Sequence, residues 1–94
     1  MEKVMHSVLL YVEKPPYESK QEVFWRPFLE QAAQIARQAT GVDILGESCW
    51  LMEITVDIPS LIDLAHAAQA NELHYRVLFF AEAPLWIPSP GVSA

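Results

Sequence analysis

The sequence predicts an α+β domain with the ferredoxin-like order β-α-β-β-α-β, in which a four-stranded antiparallel sheet carries two helices on one face. Four β-prone segments and two segments of helical spacing alternate in that order along the chain. The two middle β-prone segments are separated by only three residues, Gly46-Glu47-Ser48, which favours an antiparallel hairpin. The length of 94 residues suits a single domain.

The first strand is predicted over residues 4–13, which are rich in Val and Leu and stop before Pro15-Pro16. Ser19 and Glu22 follow with the S-x-x-E spacing of a capping box, in which each side chain satisfies a free backbone N–H at the start of a helix. We therefore expect the first helix to begin directly after Ser19.

Helical spacing of apolar residues continues to Thr40, and Gly41 is expected to end this helix. Pro27 lies inside the pattern. Because proline lacks a backbone N–H and its ring collides with the preceding turn, the helix should bend or restart near Trp25 and Arg26.

The second half predicts strands over residues 42–45 and 49–56, a helix capped by Asp57 or Ser60, and a last strand over 74–82. An alternative reads residues 42–56 as one bent strand, which would leave a three-stranded β-α-β-α-β unit. Residues 1–83 are predicted to form the domain. Residues 84–94 hold three of the seven prolines and are predicted to be an apolar tail without regular structure.

Alternation along the strands predicts which side chains face the helices and which face away. The helix-facing set is Val8, Leu10, Val12, Trp50, Met52, Ile54, Val56, Tyr75, Val77, Phe79 and Ala81. The outward set is Ser7, Leu9, Tyr11, Glu13, Cys49, Leu51, Glu53, Thr55, His74, Arg76, Leu78, Phe80 and Glu82. An uncovered sheet face with this much apolar surface is typical of a contact surface.

The polar residues of the outward set predict a binding site. His74 or Glu53 could act as a base and Arg76 could hold an anion. Tyr11 and Phe80 would supply a hydroxyl and apolar surface. The competing interpretation is an ordinary cross-strand ion pair between Arg76 and Glu53.

Trp25 and Arg26 are a second candidate, because these residue types are frequent at binding hot spots and the bend at Pro27 could form a rim. The competing interpretation places Trp25 at the edge of the core. Cys49 has no neighbouring base in sequence and is predicted to be an unreactive thiol.

Composition limits the function classes. Six basic residues are scattered against twelve acidic ones, which argues against nucleic-acid binding. The three histidines lie on separate elements without metal-ligand spacing, and no phosphate-binding or hydrolase motif occurs, so neither a metal nor another cofactor is predicted. No apolar run is long enough to cross a membrane, and the lone cysteine suggests a reducing cytoplasm.

The element order and length resemble those of the small dimeric α+β barrel proteins, which include heme- or quinone-directed monooxygenases and isomerases. The resemblance covers residues 4–82 and implies a fold and a dimer, without functional residues. Two functions stay open. The preferred one is a homo-oligomeric module, most simply a homodimer, that binds a small apolar ligand or a protein through the open face or the tail. The alternative is a small cofactor-poor enzyme with its pocket between paired sheets. An acidic inhibitor of a basic protein is a third, weaker option.

Overall fold

The computed structural model describes residues 5–87 of the chain. Its elements in chain order are β1 (Ser7–Val12), a 3-10 helix (Lys20–Phe24), α1 (Trp25–Gln38), β2 (Asp43–Leu45), β3 (Cys49–Glu53), α2 (Ile54–Ala70) and β4 (Tyr75–Phe80). All strand pairs are antiparallel, and the order across the sheet is β2-β3-β1-β4. The mixed α+β class, the four-stranded antiparallel sheet and the two α-helices are therefore as predicted.

The hairpin between β2 and β3 forms across the short turn at residues 46–48. Leu45 lies opposite Cys49, and Gly46 has a φ of 70°, a left-handed conformation that glycine adopts without strain. Because β2 and β3 pair with each other as separate strands, the alternative of one bent strand over residues 42–56 is wrong.

One face of the sheet and both helices form a single core. The buried residues of this cluster are Val8, Leu10, Val12, Trp25, Phe28, Ala32, Trp50, Met52, Leu64, Ala68 and Leu73. Phe28 lies at its centre, fully buried, with its ring centroid 5.7 Å from that of Trp25 and 5.5 Å from that of Trp50. The alternation of β1 follows from this packing, since Val8, Leu10 and Val12 all point toward the helices.

The start of the first helix differs from the prediction. The Ser19 side chain makes no capping hydrogen bond, and its buried hydroxyl has no partner among the described residues. The chain instead forms the short 3-10 helix and begins α1 at Trp25, so that Pro27 lies in the first turn, where a missing N–H breaks no helical hydrogen bond. The predicted restart near Trp25 and Arg26 therefore occurs.

The end of the first helix also differs. It ends at Gln38, and its capping residue Ala39 is extended, with φ −89° and ψ 155°. Gly41 thus lies beyond the helix and does not supply a left-handed cap.

The third strand is shorter than predicted, because residues 54–56 already belong to α2. Alternating apolar residues over so short a stretch do not distinguish a strand from the first turn of a helix. The helix is interrupted at Asp57, which has φ −114° and ψ 19°. Pro59 accounts for the interruption, because its ring conflicts with the carbonyl of residue 55. Ile54 packs on the core, whereas Val56 is exposed, so its predicted place on the sheet is wrong.

The last strand, β4, is also shorter than predicted and lies at an edge of the sheet. Val77 and Phe79 are on the helix side of β4 but are 36 % and 52 % exposed. The predicted side is therefore right for both residues, but neither belongs to the core that the helices cover. Residues 84–87 form neither helix nor strand, and the rest of the predicted tail, residues 88–94, lies outside the described residues. Neither α-helix between residues 5 and 87 has the length and apolarity to cross a membrane.

Candidate functional site

The register of the sheet defines the face that points away from the helices, here called the open face. Directly opposite residues of antiparallel strands point to the same side. The rows across β3, β1 and β4 on this side are Cys49-Tyr11-Arg76, Leu51-Leu9-Leu78 and Glu53-Ser7-Phe80. The open face therefore has an apolar row in the middle and, at each end, a row that contains polar side chains.

A shallow apolar groove of about 370 Å³ lies on the open face, lined by Leu9, Tyr11, Cys49, Arg76, Val77 and Leu78. Leu78 is 55 % exposed and leaves the groove open toward the edge of the sheet. The Arg76 guanidinium lies 5.5 Å from the centre of the Tyr11 ring, a cation–π arrangement that holds a positive charge at one end of the groove. The groove thus combines apolar walls with one cationic group.

His74 lies next to this cationic end. It lines a cleft of about 330 Å³ together with Tyr11, Glu13 and Arg76. The Glu13 N–H donates to the His74 carbonyl oxygen at 2.9 Å, which fixes these two residues opposite each other just beyond the ends of the strands. Three of the four residues predicted to form a polar site, Tyr11, His74 and Arg76, are therefore close together.

Glu53 does not join them. It lies opposite Ser7, four residues along β1 from Tyr11, which corresponds to roughly 13 Å at the usual rise of a strand. Its carboxylate instead pairs with the imidazole of His6, with Oε1 3.4 Å from Nε2. The predicted ion pair between Arg76 and Glu53 is therefore wrong. Glu13 takes the expected place of the carboxylate, and strand alternation could have identified it, since it follows Tyr11 by two residues.

The tail lies at the opposite end of the open face. Pro84 and Trp86 line a cleft of about 220 Å³ together with Ser7, Asp43, Leu51, Glu53 and others. Ser7 and Leu51 are buried although they belong to the face predicted to be uncovered. The described part of the tail therefore lies beside its own sheet, yet Leu85, Trp86 and Ile87 remain 87 %, 63 % and 84 % exposed.

The remaining candidate residues occupy less suitable positions. Trp25 is only 7 % exposed and belongs to the core, so it does not form a surface rim. Arg26 is exposed on α1, beside Glu30 and Arg37. Phe80 is half-buried at the end of β4. Cys49 is a free, half-buried thiol in the groove, and residues 5–87 contain no group of three His, Cys, Asp or Glu side chains placed to hold a metal ion.

Comparison with known proteins returns no match for this chain, whether with described families, with curated proteins or with solved structures.

Proposed function

We propose that this chain is a homo-oligomeric binding module that uses the open face and the apolar tail as its contact surfaces. The observation that carries this proposal is the position of the exposed apolar side chains. Leu78 on the open face and Leu85, Trp86 and Ile87 in the tail are large and exposed, and Val77 and Phe79 are exposed beside Leu78 on the other side of β4. Apolar surface concentrated in this way is typical of surfaces that another molecule covers.

The finer assignment to the ferredoxin-like class belongs to the same proposal. The element order and the sheet order β2-β3-β1-β4 support it, since β3 separates β2 from β1 and β1 separates β3 from β4. The two strands of each β-α-β unit are thereby separated by one strand of the other unit, which is the split arrangement of that class. The resemblance to the dimeric α+β barrels adds support for a dimer.

The groove favours a small apolar ligand with one anionic group. Leu9 and Leu78 supply apolar contact, and Arg76 supplies a donor group that matches a carboxylate in geometry and charge. Such a ligand would lie along the open face with its anionic end toward Tyr11 and His74.

Native mass spectrometry of gently purified protein tests the proposal, because it reports assembly and retained ligand together. We expect a dimer or a larger species, and we expect Leu78→Glu to lower both the assembly and any retained small-molecule mass. Ile62→Glu is the matched control, since Ile62 is 49 % exposed on α2, away from the open face. If Leu78→Glu, Phe80→Glu and removal of residues 84–94 all leave assembly and ligand unchanged, the proposal is wrong.

A second candidate, a cofactor-poor enzyme, is favoured by one observation, the grouping of Tyr11, Glu13, His74 and Arg76 in one cleft. In that case His74 would be the base and Arg76 the anion clamp. Incubation of the retained ligand with protein would then change its mass, and His74→Gln would stop this change while leaving the ligand bound. A ligand that is recovered unchanged supports the binding module.

A further inference from the structure

Within residues 5–87, the outer edge of β4 has unpaired backbone groups and apolar side chains on both of its faces. In this described range β4 pairs only with β1, and the carbonyl oxygens of His74 and Phe80 accept hydrogen bonds from that side. Because successive residues of a strand direct their backbone groups to opposite sides, those of Tyr75, Val77 and Phe79 point to the outer edge. Such an edge is a template for another strand.

The exposed side chains of β4 could be covered by stacking of two open faces or by a strand added at the outer edge, and their positions decide between the two. Leu78 on the open face is 55 % exposed, and Val77 and Phe79 on the helix side are 36 % and 52 % exposed. Stacking two open faces would cover Leu78 and leave Phe79 in water. A strand added along the outer edge would place neighbours beside all three side chains, because each strand of a sheet contacts its neighbour on both faces.

The chain's own tail leaves this edge free in the part that the structure describes. The chain bends at Ala81 and Glu82 and then runs to the far side of the sheet, where Pro84 and Trp86 line a cleft with Asp43 and Glu53. These two acidic residues belong to β2 and β3, on the other side of β1 from β4.

The sequence of the edge is complementary to itself. Ala81 and Glu82 follow β4 in a bend. If two copies run antiparallel about a two-fold axis at Phe79 and this bend extends the strand, each Arg76 lies opposite Glu82 of the other copy and each Leu78 lies opposite Phe80. Arg76 and Glu82 are both exposed. The outward backbone groups of Phe79 and Val77 then meet those of Phe79 and Ala81 in the other copy. Arg76 and Glu82 fall at a position without backbone hydrogen bonds between the strands, where opposite side chains are closest.

We infer that two copies of this chain pair antiparallel along the outer edges of β4, with Arg76 of each copy against Glu82 of the other. The inference rests on the proposed homo-oligomer and states how its copies meet. It yields one eight-stranded sheet, in which the two apolar grooves lie side by side at the two-fold axis and Leu78 contributes to both the groove and the interface.

Sedimentation of full-length variants tests the inference. Phe79→Lys puts two ammonium groups together at the axis and should produce a monomer at concentrations where the unchanged chain is a dimer. Ile44→Lys is the matched control. Ile44 is 54 % exposed, lies opposite Trp50 on the helix side and belongs to β2, the strand at the other edge of the sheet. The Ile44→Lys variant should remain a dimer. Far-ultraviolet circular dichroism shows whether each variant is folded.

Charge exchange tests the register. Arg76→Glu and Glu82→Arg should each raise the dimer dissociation constant by about tenfold or more, since each places like charges at two symmetric positions. The double variant restores the opposite charges and should return the constant to within about threefold of the original value, judged on the same scale of pair energies.

Other outcomes overturn the inference in distinguishable ways. An unchanged chain that is monomeric at all concentrations contradicts the homo-oligomer and the edge pairing together. A dimer that dissociates with Ile44→Lys and tolerates Phe79→Lys places the contact at β2 and contradicts the edge pairing alone. A dimer that dissociates with Phe79→Lys but shows no rescue in the double variant contradicts the register.

Discussion

Replacing Gly41 with alanine is expected to destabilise the fold through one contact. The added Cβ atom would lie 2.8 Å from Oδ2 of Asp57. This carboxylate belongs to a residue that is 2 % exposed, and its Oδ2 atom has no hydrogen-bond partner among residues 5–87. Because the side chain is enclosed at the interruption of α2, a new methyl group must displace it or the backbone that surrounds it.

Two opposing effects set how much Gly41→Ala changes the free energy of unfolding. Gly41 does not have the positive φ found at Gly46, so its backbone accepts an alanine without strain. Without the contact, the change would stabilise the fold by about 0.4–1 kcal/mol, because alanine restricts the unfolded chain. Overpacking of an enclosed site costs about 1–3 kcal/mol. The cost of the close contact with Asp57 outweighs the gain from restricting the unfolded chain, and we expect a net loss of about 1–2 kcal/mol in the free energy of unfolding.

Urea unfolding of four proteins measures this coupling: the unchanged chain, Gly41→Ala, Asp57→Ala and the double variant. Without the carboxylate, Gly41→Ala should become neutral or stabilising by about 0.4–1 kcal/mol. Gly46→Ala is the control. It has nothing within 4 Å of the added atom but a φ of 70°, so it should cost about 1–2 kcal/mol with or without Asp57. If Gly41→Ala has the same effect in both backgrounds, the close approach of Asp57 is refuted.

Three further predictions concern the core, the helix start and the tail. Phe28→Ala should lower the free energy of unfolding by about 3–5 kcal/mol, because Phe28 is fully buried. Val23→Ala, at a side chain that is 71 % exposed, should stay within about 0.5 kcal/mol. Ser19→Ala should cost less than the usual loss of about 1 kcal/mol for a capping residue, since the Ser19 hydroxyl makes no capping bond; a full loss in urea unfolding would contradict this geometry. Trp86→Phe should remove most of the tryptophan fluorescence that acrylamide quenches, because the other two tryptophans are buried; unchanged quenching would contradict the exposure of Trp86.

Strand alternation made much of the fold predictable. Val8, Leu10 and Val12 share the core face of β1, and Trp50 and Met52 share that of β3. In both strands the side chains that face the helices must be buried, whereas the residues between them along the strand need not be. The alternation in the sequence therefore reflects the packing directly. The turn at Gly46 adds a local requirement that few other residues meet.

Local patterns failed where tertiary contacts choose between two conformations. The alternation of β3 continues through Val56, but the chain turns into α2 after Glu53. The capping spacing at Ser19 is also present, yet its hydroxyl makes no capping hydrogen bond to the 3-10 helix that follows. Both segments fit two conformations almost equally well, and the surrounding chain decides between them.

The polar site was only partly predictable, because its composition depends on register between distant strands. Sequence alternation places Tyr11, Glu53, His74 and Arg76 on one face, but it does not show how far apart they lie along the strands. The register places Arg76 opposite Tyr11 and Glu53 opposite Ser7. The face on which a side chain lies can therefore be predicted from its own strand alone. Its neighbours across the sheet depend on the register between two strands.

The apolar run of β4 carries the strongest argument about assembly. Val77, Leu78, Phe79 and Phe80 are consecutive, a pattern typical of strands that are covered on both faces. The structure places this run at an edge, where Leu78 and Phe79 are each more than half exposed on opposite faces. Apolar side chains on both faces of an edge strand are therefore better explained by a partner strand than by the fold of one copy. The same run in a second copy of the chain would supply such a strand.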